Sequence, residues 1–185
     1  MTKKDKKKRP PYNQQAHIRS ALRRAFSRSP LVIEVLNESR REVPRYRKDG
    51  SRAKKPGVER LCALCKKWVG STKVAVDHIV PVICTDEGFS GWDAYIERLW
   101  CDKGNLHTLC HECHQAKTNR ERFDRQYLIE LKELSQYEAN LAVRRDEAKK
   151  WVKRFTPKRY EKFPYYPQDF KDRVASLRQR LKEKH

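Results

Sequence analysis

The chain has 185 residues and a mass of 22.1 kDa, with 44 Lys/Arg against 24 Asp/Glu and a formal net charge of +20. Its hydrophobic and charged fractions are equal at 37%, so any core is modest, and a small core needs a staple such as a structural metal. No apolar run approaches the roughly 20 residues of a membrane span, and no apolar stretch follows the N-terminal lysines, so neither a membrane protein nor a secretory signal is expected.

That charge excess favours a polyanion, nucleic acid ahead of an anionic membrane or an acidic protein, because each neutralised phosphate releases counterions. The expected location is the cytoplasm, where paired cysteines are metal ligands before they are disulfides.

In chain order, residues 1–11 form a basic arm (Lys3, Lys4, Lys6, Lys7, Lys8, Arg9), either a phosphate clamp or a solubilising tail. Residues 12–57 are expected to be a helical, Arg-rich extension and a basic hairpin or loop. Ile18, Leu22, Ala25 and Phe26 fall at helical spacing, with Arg19, Arg23, Arg24 and Arg28 opposite. Ser29-Pro30 signals a second helix through Leu31, Val32, Val35 and Leu36, closed by Pro44. From Arg45 to Arg60 the chain is nearly all polar, with Asp49-Gly50 as a hairpin-turn signal. Here Arg45, Arg47, Lys48, Arg52, Lys54 and Lys55 are candidate DNA-phosphate contacts, and the alternative is a solvated linker.

Residues 58–123 carry the chemistry. Cys62 and Cys65 form one CxxC pair, and Cys110 and Cys113 form another. Zinc takes four thiolate or imidazole ligands in a tetrahedron, and each CxxC supplies two from one tight turn. The alternatives are two unrelated pairs or disulfides. Cys84 and Cys101 lack a CxxC partner, while His107 and His111 are spare candidate ligands.

Val74–Val80 reads as a strand stopped by Pro81, Gly88–Trp100 contains an amphipathic helix, Asn105–Leu109 is a second strand, and a helix begins near His111. Within the first strand, Asp77 offers a hard oxygen ligand suited to Mg2+ or Mn2+. His78 offers an imidazole that, if not tied to the metal, can take a proton from water. Neighbours on a strand diverge, so the two converge only if the strand ends or bends there. Residues 124–185 form a C-terminal helical extension whose last helix places Phe170, Val174, Leu177 and Leu181 on one face.

The two cysteine pairs, VDHIVP at 76–81, Asn105 and the run Cys113-His114-Gln115-Ala116-Lys117-Thr118 resemble the HNH nuclease family over about residues 58 to 123. The lead-in LRRAFSRSP and the segment GFSGWDAYIERLW are similar to small free-standing HNH proteins of bacteriophages. The resemblance implies an α+β fold: a small ββα-metal core with a four-Cys zinc site, flanked by N- and C-terminal helices. It implies that Asp77 and His114 hold a catalytic divalent ion, that His78 is the general base, and that Asn105 bonds across the hairpin to orient His78. Some members carry a further His where Thr118 stands. Its absence favours Mg2+ or Mn2+ over Ni2+ or Zn2+ in that position.

Lys117 is a further candidate phosphate contact. The implied activity is endonucleolytic hydrolysis of double-stranded DNA to 5′-phosphate and 3′-hydroxyl ends, alongside a terminase or another DNA-processing partner. The alternative is a zinc-stabilised DNA-binding or packaging-accessory protein with an unused nuclease centre.

Overall fold

The computed structural model describes residues 11–183, so all but the last residue of the expected basic arm lies outside the described residues. Helices combine with two small antiparallel sheets, which is the α+β class expected. Among the described residues no helix is long and apolar enough to cross a membrane. The chain divides into two compact units: residues up to Val82 with Gly91–His114, and Ile83–Ser90 with the residues from Gln115 onward.

The first unit opens with α1 (Gln14–Phe26), capped by the Asn13 side chain accepting from the Ala16 amide, and α2 (Pro30–Glu38), capped by Ser29 with Pro30 in its first turn. Along α1 the apolar stripe is shallow: Phe26 is buried but Ile18 is exposed. α2 ends well before Pro44, because β1 (Arg40–Val43) begins at once and pairs with β2 (Gly57–Leu61). β3 (Trp68–Gly70) completes an antiparallel sheet in the order β1-β2-β3. Charged residues dominate β1, which hides its period-2 pattern. Arg41 lies over the Trp68 ring at 4.2 Å while bonding Glu59 at 2.6 and 2.9 Å.

The second sheet is the hairpin of β4 (Val74–His78) and β5 (Leu106–Cys110), registered from Val74↔Cys110 to His78↔Leu106. Between these strands lies α3 (Trp92–Leu99), which buries Tyr95 and Leu99. α4 (His111–Ala139) follows β5 without a linker.

The second unit is helical: the body of α4, α5 (Arg145–Val152), α6 (Pro157–Lys162) and α7 (Gln168–Arg180). Its core joins Leu134, Trp151, Phe155 and Tyr166 to Phe170, Val174 and Leu177 of α7, the face read from the sequence. Inside sits Glu130, fully buried, which accepts from Gln126 (2.8 Å), Arg154 (3.2 Å), Arg159 (2.5 Å) and the Tyr166 hydroxyl (2.5 Å). A buried carboxylate is tolerable only when paired and bonded in this way.

Burial, and then the bond to Glu130, push the Tyr166 pKa up to about 12. A phenol raised in the folded state contributes stability that is complete below its ordinary value of about 10 and is lost as pH rises through the folded value. Melting temperature followed by circular dichroism should therefore fall between pH 10 and 12 less steeply in Tyr166→Phe than in the native chain. At neutral pH the variant should be less stable by about 1–3 kcal/mol, the cost of losing a bond to a buried charge. Parallel pH profiles would remove this role from Tyr166.

Candidate metal centre

The first CxxC sits in the tight turn between β2 and β3, where the Cys62 amide donates to the Lys67 carbonyl (3.0 Å) and the Lys66 amide donates to the Cys62 carbonyl (3.0 Å). Lys66 takes the left-handed conformation at φ 58° that closes this knuckle. The second pair straddles an element boundary: Cys110 ends β5 and Cys113 lies in the first turn of α4. All six cysteines are free thiols.

The ligand atoms of Cys62, Cys65, Cys110 and Cys113 all lie within 4.8 Å of one another, and Cys65 Sγ is 3.9 Å from Cys110 Sγ. Tetrahedral zinc with bonds of about 2.3 Å sets its sulfurs about 3.8 Å apart, so the cluster fits that ion. Electrostatics agree. Burial raises the Cys62 pKa, but amides of Cys110, Cys65 and Leu64 donate to its sulfur and bring it down to about 6. Cys113 is pushed the other way, to about 12, first by its bond with Cys110, then by burial and its other sulfur neighbours. Four crowded sulfurs cannot all ionise without a counter-charge, which a divalent cation supplies. Cys84 and Cys101 stand outside the cluster.

On the β4–β5 hairpin, Asp77 pairs with His107 and His78 with Leu106. Asp77 Oδ1 is 3.8 Å from His114 Nε2, and Asp77 Oδ2 is 3.8 Å from His107 Nε2. Two ligands about 2.1 Å from one ion can stand up to about 4.2 Å apart, so Asp77 and His114 can share a cation. His107, a spare in the sequence, thus flanks the carboxylate from the partner strand. The register carries that signal, since directly opposed residues face the same way. His111 is exposed at the start of α4. Among the described residues, the four cysteines are the one group of three or more candidate ligands gathered this closely.

β4 ends at His78, its last paired residue, opposite Leu106. His78 is 8% exposed, packs at 5.0 Å centroid distance on Phe26 of α1, and has Nε2 3.0 Å from the Leu99 carbonyl. A carbonyl only accepts, so that nitrogen donates to it. Asn105 bonds across the hairpin: its Oδ1 accepts from the Val80 amide (2.8 Å) and its Nδ2 donates to the Val80 carbonyl (3.4 Å). With the Ile79 amide donating to the Asn105 carbonyl (2.8 Å), this clamps the backbone directly after His78. Asn105 therefore reaches His78 through the main chain. Lys117 pairs with Glu121 one helical turn on, its side chain only 18% exposed.

Cys110→Ser should abolish bound zinc and unfold the first unit, because a structural zinc contributes about 10–16 kcal/mol of binding energy to folding. Cys84→Ser and Cys101→Ser should each retain full zinc by atomic absorption. Full zinc in Cys110→Ser, or its loss in either control, would contradict the four-sulfur site.

No family model, no curated protein and no solved structure matches the chain.

Proposed function

We propose that the chain is an HNH-type, metal-dependent endonuclease that hydrolyses phosphodiester bonds of double-stranded DNA, with structural zinc at the four cysteines. The observation that carries this reading is the approach of Asp77 Oδ1 to His114 Nε2 at 3.8 Å, on a strand hairpin that runs directly into a helix. The net charge of +20 suits a polyphosphate substrate.

In this reading Asp77 and His114 hold a catalytic divalent ion, Mg2+ or Mn2+ ahead of Ni2+ or Zn2+, their carboxylate and imidazole supplying ligands without thiolate. Such an ion, when bound, stabilises charge on the phosphoryl oxygens and on the leaving oxygen. His78 accepts the proton of the attacking water. The water oxygen forms the new bond to phosphorus, and the bond to the 3′ oxygen breaks. That oxygen takes a proton from solvent, leaving a 5′ phosphate and a 3′ hydroxyl. Asn105 positions His78 by clamping Val80.

A second reading is a zinc-stabilised DNA-binding or packaging-accessory protein whose hydrolytic centre is unused. The burial of His78 under Phe26 favours it, since a base must reach water.

Supercoiled plasmid with Mg2+ or Mn2+ separates the two readings. The native chain should nick it, Asp77→Ala and His114→Ala should lose the divalent-dependent activity while keeping zinc, and His78→Ala should fall by about 10²–10⁴-fold, the usual contribution of a general base. DNA binding without cleavage under any of the four metals would establish the second reading. Undiminished cutting by His78→Ala would remove that residue from the mechanism.

A further inference from the structure

β1 and β2 do not stop at their sheet. Beyond Val43↔Gly57 the strands part at Pro44 and Pro56, then pair again as a narrow ribbon: the Ala53 amide donates to the Arg45 carbonyl (2.7 Å), Tyr46 bridges Arg52, and the Arg47 amide donates to the Ser51 carbonyl (2.8 Å). Gly50, at φ 81°, turns the tip, where a side chain would be strained. The Asp49 carboxylate accepts from the Ser51 amide (2.9 Å) and hydroxyl (2.7 Å), so the tip's own acid is engaged in holding the turn. Arg45, Arg47, Lys48, Arg52, Lys54 and Lys55 are all exposed along this arm, as is Tyr46.

We infer that this ribbon enters the major groove of B-form duplex DNA and grips the phosphates on either side. Size selects the groove. Two strands about 4.8 Å apart, widened by side chains on both edges, match a major groove about 12 Å wide and exceed a minor groove of about 6 Å. The deep, narrow major groove of A-form RNA excludes such a ribbon. A single strand would call for a row of stacking aromatics, whereas the ribbon carries Tyr46 alone. The arm's cations contribute affinity and orientation, and the tip at Lys48 lies where base edges are within reach. The nuclease reading supplies the substrate class. The ribbon is tested by binding alone, without added divalent ion, so failure of either proposal leaves the other standing.

Fluorescence anisotropy on the full zinc-loaded chain, titrated with a short DNA duplex across a salt series, tests the inference. Replacing Arg45, Arg47, Lys48 and Arg52 together with Gln should weaken binding by about tenfold or more. The slope of log affinity against log salt should become shallower by about 0.9 for each phosphate that the variant leaves unneutralised. Zinc content and melting temperature should match the native chain. For the native protein, guanine N7 methylation should interfere with binding, a minor-groove ligand should not compete, and duplex RNA should bind more weakly. An unchanged salt slope in the fourfold variant, competition by the minor-groove ligand, or equal affinity for duplex RNA would each overturn the inference.

Discussion

The convergence of four sulfurs is the constraint on which the first unit depends. Around it packs a small cluster, Cys62, Leu109 and Cys110 with Ala63, Val69 and Cys113, while Phe26, Val32, Val35, Tyr95, Leu99 and Leu106 are buried elsewhere in the unit. The sulfurs join the β2–β3 turn to the end of β5 and the first turn of α4, so they fix where β5 lies and where α4 begins. Cys110 pairs with Val74, which sets the register that brings His107 opposite Asp77. Cys113 directly precedes His114, so the same anchorage places that imidazole beside the carboxylate. The four-sulfur cluster thus also sets where Asp77 and His114 meet.

The second unit is stabilised differently. Phe155 meets Tyr166 and Phe170 edge to face, Tyr166 stacks on Phe170, and Glu130 gathers Arg154, Arg159 and Tyr166 into one buried network. Such a network is stable when every member is satisfied and costly when one is removed.

The hairpin also sends its adjacent Asp77 and His78 side chains to different neighbours. Asp77 faces the histidines of β5 and α4, whereas His78 turns to Phe26 and the Leu99 carbonyl. In a hydrolytic centre built this way, ion binding and proton transfer would be held by different packing. Asn105, clamped on Val80, would keep them in register.

The sequence by itself determined the paired cysteines, the Asp-His strand, the helices whose apolar residues recur at helical spacing, and the hairpin turn at Asp49-Gly50. Each is local: a tight turn, a β-branched run or an amphipathic period is written in neighbouring residues. Tertiary structure decided what depends on distant ones. The β1-β2-β3 sheet was illegible because β1 is charged and its stability comes from pairing partners and the Arg41–Trp68 contact. His107 gained its place from strand register, and Lys117 was claimed by Glu121. His78 was buried by a phenylalanine 52 positions away, since chain separation is no measure of distance once a helix folds back over a strand.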